Sequence, residues 1–156
     1  MKIAIASDHR GFPLKAQLIA HLHGAGHGVA DLGIESIQPT DYPEIAENCA
    51  LAVTKGQVDF GILIGGSGIG MGISANKIHG IRAAVCGDEL SVELARRHVN
   101  ANVLCLGADL LAVTLAKRIA EIFLTTDFER GRHSRRLEQI RRLENNAYLD
   151  VVASPR

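Results

Sequence analysis

The sequence predicts a three-layer α/β fold, helices on both sides of a parallel sheet of about five strands. Two observations predict it. Short, continuous apolar runs recur along the 156 residues, and segments with helical spacing fall between them. Continuous rather than alternating apolarity suits strands covered on both faces. Strand–helix alternation brings the strands together in parallel. The length fits one domain, 1–156, with a real core.

The elements follow in order. A first strand is read over 3–6. Leu14, Leu18 and Leu22 mark a helix, with Pro13 near its start and Gly24 at its end. A second strand covers 29–32. Asp41-Tyr42-Pro43-Glu44 has the pattern of a capping box before a helix over 45–55, which Gly56 closes. A third strand over 62–64 runs into the glycine-rich turn Gly65-Gly66-Ser67-Gly68-Ile69-Gly70, and a helix is expected after it. A fourth strand covers 81–85, a helix 90–97, and a fifth strand 103–106. Residues 110–124 are strongly apolar at helical spacing. A last helix, about 134–145, carries Leu137, Ile140 and Leu143.

Composition narrows the class. Hydrophobic content is 47% and charged content 22%, with 17 basic against 17 acidic residues. No global field recruits nucleic acid or an anionic membrane. No apolar run approaches the roughly 20 residues of a membrane span. The start, MKIAIASDHRG, is too short and too soon polar for a secretory signal. Cys49, Cys86 and Cys105 sit in apolar stretches without a CxxC spacing, as expected of core thiols in a reducing cytoplasm.

In such sheets ligands bind beyond the carboxyl ends of the strands. That rule selects Ser7-Asp8-His9-Arg10-Gly11, the glycine-rich turn, Asp88-Glu89, and Gly107-Ala108-Asp109. Glycines let a backbone approach a ligand closely. The free N–H groups of the turn suit a phosphate or an oxyanion, although such turns also arise for packing. Asp8 and His9 read as an acid–base pair, as sugar or phosphate ligands, or as a helix N-cap beside a solvated histidine. His98 is either catalytic or simply favoured by a helix dipole. Arg132 and Arg136, four apart, share a helix face and either grip a phosphate or form a solvated basic face. His21, His23, His27 and His79 lack ligand-like spacing, and neither a metal nor a cofactor is read.

Together the motifs SDHRG, TDYPEIA, ILIGGSGIGMGISANK, GIRAAVC, ELARRH, ANVLCLG and FERGRHSRRLEQI resemble, in order, those of the type B ribose-5-phosphate isomerases. Galactose-6-phosphate isomerase subunits belong to the same family. The resemblance spans about residues 2–143. It implies a Rossmann-like αβα sandwich and metal-free aldose–ketose isomerisation of a sugar phosphate through an enediolate. It also implies a homodimer or tetramer with sites shared across the interface, the last helix lying there, or assembly with a paralogous subunit. By the same resemblance Asp8 and His9 bind the sugar and its phosphate end, and Tyr42 lines the pocket. Gly66, Ser67, Gly68, Ile69 and Gly70 offer N–H groups to the enediolate oxygen. His98 assists ring opening, serving the partner's site, and Arg132 and Arg136 hold the phosphate.

Three departures stand out. Many members carry a catalytic Cys where this chain has Gly65, and another branch has Glu where this chain has Met71. The Asn usually following the ring-opening His is Val99. The Arg often found after the fifth strand is Asp109. Asp8, Glu89 and Asp109 are possible substitute carboxylates, and the sequence does not choose among them. Without a substitute, little ribose-5-phosphate isomerase activity is expected, and a Cys at position 65 should raise it. Two functions follow: an isomerase with an altered substrate or base, and a non-catalytic sugar-phosphate binder or subunit. A nucleotide-binding module is disfavoured, because no Lys-Ser/Thr follows the glycines.

Overall fold

A computed structural model describes residues 1–153, with side chains to residue 146. The last three residues of the domain expected over 1–156 lie outside the described residues. The order is β1 (Lys2–Ser7), α1 (Phe12–Gly24), β2 (Gly28–Asp31), α2 (Tyr42–Thr54), β3 (Phe60–Gly65), α3 (Ile69–Ala75), β4 (Ala83–Val85), α4 (Glu89–Val99), β5 (Val103–Gly107), α5 (Val113–Thr125) and α6 (Arg132–Ala153). The five strands form one sheet in the order β2-β1-β3-β5-β4, every pair parallel.

Alternate residues of the central strands feed two cores. Ile3, Ile5, Ile62, Ile64, Leu104 and Leu106 face α1, α4 and α5. Ala4, Ala6, Leu63, Val103 and Cys105 face α2 and α3. The small alanines of β1 on the second face give α2 room to pack closely. The chain leaves β1 in one direction for β2 and returns in the other for β3. The crevice at this reversal, beyond the strands' carboxyl ends, is where such sheets bind ligands.

Several expectations shift. Strands buried on both faces hold only for β1, β3 and β5; of the two edges, β2 is largely exposed and β4 is half-buried except at Val85. The fourth strand begins at Ala83 rather than 81, because the Arg82 N–H is taken by the Asn102 side chain. Gly24 is the last residue of α1, and the left-handed residue is Gly26 (φ 83°). Asp41 is the N-cap of α2 but makes no side-chain cap bond, so the capping box does not form. Pro43 at the second helical position lacks one of the N–H groups such a cap would use. Helix α5 starts only at Val113, leaving Leu110 in a turn, and α6 is longer than expected, Arg132–Ala153. No helix among the described residues is long and apolar enough to cross a membrane.

Candidate active site

Strand β1 ends at Ser7 and β3 at Gly65, and their continuations face each other. Asp8 donates its N–H to the Ile64 carbonyl (3.2 Å), which locks the first loop onto the third strand. Gly11 is required at this crossing: a Cβ there would sit 2.5 Å from the Ile64 carbonyl oxygen. The Asp8 Oδ1 accepts from the N–H groups of Arg10 (2.9 Å) and Gly11 (3.0 Å). Asp8 is 7% exposed. It shares a cavity of about 320 Å³ with Arg10, Tyr42, Gly65, Gly66, Ser67, Gly68, Gly70, Met71 and Asp109.

The glycine-rich turn forms one wall. Gly68 is left-handed (φ 76°) and caps α3. Gly70 has no room for a side chain, since a Cβ would lie 2.6 Å from the Tyr42 ring. The Ser67 hydroxyl accepts from the Ile69 N–H at 3.3 Å. Among the described residues, the N–H groups of Ser67, Gly68 and Gly70 find no protein acceptor. Gly65 is not left-handed. A Cβ built on it would lie 3.1 Å from Asp8 Oδ2 and 3.3 Å from Met71 Cγ.

His9 is half-buried beside the cavity, and its Nδ1 accepts from the Thr40 N–H at 3.4 Å. Arg10 and Asp109 form an ion pair at the rim, with Nε and a terminal nitrogen each 2.7 Å from Asp109 Oδ2. Where the resemblance expects an arginine after β5, the chain has Asp109 and supplies a guanidinium from the β1 loop instead. Arg10 lies within the strand-end stretch selected from the sequence, but the sequence gives it no role. Its only signal was adjacency to Asp8-His9, because the order placing β1 and β5 on either side of β3 is not written locally.

The other expected residues lie elsewhere. Helix α4 runs back against the strands, so His98 and Val99 stand near the amino end of β5. There His98 stacks on His133, ring centroids 4.3 Å apart and planes 6° apart. Glu129 is the hub of this cluster. It is ion-paired with Arg97 and lies 3.3 Å from His133 Nε2 and 3.7 Å from His98 Nε2. The Arg97 bonds hold the Glu129 carboxyl below its ordinary range. Burial, with His98 and Arg132 nearby, pushes His133 below the usual histidine value. Arg132 and Arg136 are exposed on the first turns of α6. Arg132 Nε lies 3.4 Å from His133 Nε2. His98, Glu129 and His133 bring ligand-type atoms within 4.8 Å of one another. Parallel rings have no common point in their planes for a metal, however, and Glu129 is already neutralised by a guanidinium. Within one chain, therefore, the loop cluster and the arginine–histidine cluster occupy opposite ends of the sheet.

The family model described as Ribose/Galactose Isomerase matches residues 3–140. The chain belongs to this family. It is 47% identical to ribose-5-phosphate isomerase B of Escherichia coli over 143 residues, 92% of this chain and 96% of that protein. The structure of ribose-5-phosphate isomerase B from Clostridium thermocellum superposes with a TM-score of 0.93 at 39% identity, covering 94% of this chain and 99% of that one. A Mycoplasma genitalium ribose-5-phosphate isomerase B with bound ribulose 5-phosphate gives a TM-score of 0.89 at 42% identity, covering 92% and 96%. The three-layer parallel architecture is that of these relatives.

Proposed function

We propose that the protein interconverts an aldose phosphate and its ketose isomer, of the ribose 5-phosphate and ribulose 5-phosphate type, with Gly65 in place of the usual catalytic Cys. The observation that carries this reading is the wall of unpartnered loop N–H groups facing a buried carboxylate across one cavity. Amides fixed in advance stabilise an oxyanion without reorganising during the reaction. The ribulose 5-phosphate in the Mycoplasma relative supports the same substrate class.

Asp8, His9 and Tyr42 contact the sugar. The free amides of Ser67, Gly68 and Gly70 receive the enediolate oxygen; the Ile69 N–H, expected to join them, is taken by the Ser67 hydroxyl. His98 opens the ring, and Arg132 and Arg136 hold the phosphate. Because these last three lie at the far end of the sheet, a second protomer delivers them. The exposed stripe of Ile140 and Leu143 on α6, Leu143 70% exposed, suits burial in that dimer. A buried free thiol set suits the reducing cytoplasm. Light scattering at micromolar concentration should therefore give a dimer or tetramer, and a monomer would remove the shared site. Coupled assays against C4 to C6 aldose and ketose phosphates test the activity. Turnover of a pentose phosphate is expected. Binding without turnover of any member would favour the non-catalytic reading.

A further inference from the structure

An isomerase needs a group that lifts the proton from C2 and returns it at C1. Of the described residues lining the loop cavity, only Asp8, Arg10, Tyr42 and Asp109 carry an acidic or basic side chain. A guanidinium and a phenol are not bases at neutral pH. Asp109 is exposed at the rim, and its Oδ2 already receives two N–H groups of Arg10. Asp8 differs in both respects. It is buried, its Oδ1 is pinned by two backbone N–H groups, and its Oδ2 receives no hydrogen bond among the described residues.

Position 65 explains why that oxygen is uncovered. The first atom of any side chain there would come within 3.1 Å of Oδ2. With glycine, no side chain of position 65 covers that oxygen, which shares the cavity with the loop. Glu89, the other candidate in the sequence, is an exposed partner of Arg118 and is not part of the cavity.

We propose that Asp8 is the general base for the C1–C2 proton transfer, its Oδ2 acting where position 65 offers no side chain. This rests on the isomerase reading above. In the aldose-to-ketose direction, Oδ2 takes the hydrogen of C2 as a proton. The C2–H electron pair becomes the C1=C2 double bond, and the aldehyde oxygen O1 becomes the oxyanion held by the loop amides. The O2 proton passes to O1, C2=O forms, and the Asp8 carboxylic acid returns its proton to C1. Nothing is oxidised or reduced overall, and the carboxylate is regenerated.

The test is Asp8→Asn, which keeps an acceptor for the Arg10 and Gly11 amides while removing the base. On ribose 5-phosphate, kcat should fall by about 10²–10⁴-fold, the usual worth of a positioned base. KM and the affinity for ribitol 5-phosphate should change far less than kcat, since the acceptor that the Arg10 and Gly11 amides hold is kept and the loss falls on the proton transfer. Solvent deuterium should enter the sugar carbon with wild type and not with the variant. Wild-type turnover with equal turnover and exchange in Asp8→Asn overturns the base and leaves the isomerase reading standing. Absence of turnover and exchange by wild type on the whole sugar panel overturns both. A second measurement needs no variant. A 1,2-epoxide of a sugar-alcohol phosphate should be opened by the Asp8 carboxylate to an ester, the epoxide oxygen taking a proton from solvent. Mass spectrometry should find that ester on Asp8; a label elsewhere, or none under turnover conditions, overturns the proposal.

Discussion

The two ends of the sheet use opposite means. Behind its rim ion pair of Arg10 and Asp109, the carboxyl end is built from backbone: a carboxylate held by amides, a turn of glycines, and close approaches that exclude Cβ atoms at Gly11 and Gly70. The amino end is built from long charged side chains, with Arg97, Glu129, His98 and His133 interlocked and Arg132 alongside. Amides fixed by strands cannot be retuned by a single substitution, which suits a developing charge that must be met at one point. Side chains on a helix can be exchanged and can reach a neighbouring molecule, which suits gripping a phosphate from outside.

Removing a charge from each end tests this division, and the largest effect is expected at the carboxyl end with Asp8→Asn, on kcat. At the other end Arg136→Ala should act on affinity instead. Charged hydrogen bonds are worth roughly 1.5–3 kcal/mol, so sugar-phosphate binding should weaken by about 10- to 150-fold. Calorimetry showing unchanged affinity would take Arg136 out of the phosphate site. A smaller effect should sharpen the picture of position 65. Gly65 has no left-handed strain, so Cys fits its backbone, and Met71 and Asp8 need yield only slightly. On the Asp8→Asn background, Gly65→Cys should restore turnover by about tenfold, a modest share of what a positioned base supplies. No recovery in a folded, sugar-binding double variant would mean that position 65 does not face the reacting carbon.

The smallest effect is on stability. Burial lowers the folded His133 pKa below its ordinary 6.5, so the unfolded chain binds its proton first as pH falls. Stability should therefore decline as pH drops below about 6.5. Glu129, lowered from 4.5, adds a second loss below that value. Thermal melts should show the first decline in wild type and a shallower one in His133→Gln. Equal slopes would place the acid sensitivity in other groups.

Local pattern made much of this legible. Five apolar runs and the glycine punctuation located every strand, and Pro13, Gly56 and the leucine spacing located α1 and α2. The loop residues were found because ligand sites follow strand ends. What stayed hidden depends on neighbours far along the chain. The exposure of β2 and the partial exposure of β4 follow from strand order. The pairing of Arg10 with Asp109 joins positions 99 residues apart. The choice of Asp8 over Glu89 and Asp109 turns on which carboxylate oxygen remains unpartnered. His133 lay inside the quoted GRHSRR motif, but its burial required the stacked His98 to be seen.

The three cysteines carry a chemical consequence. Cys49, Cys86 and Cys105 are all buried and free. Burial pushes Cys49 up to about 12 and raises the other two thiols as well. Oxidants and alkylating reagents attack thiolates, and at neutral pH this fold presents almost none. By the resemblance, many members carry a cysteine base where this chain has Gly65, and so an oxidisable atom at the reacting carbon. With Asp8 as the proposed base, oxygen replaces sulfur there, and turnover measured in peroxide should persist where a thiol-dependent relative is silenced.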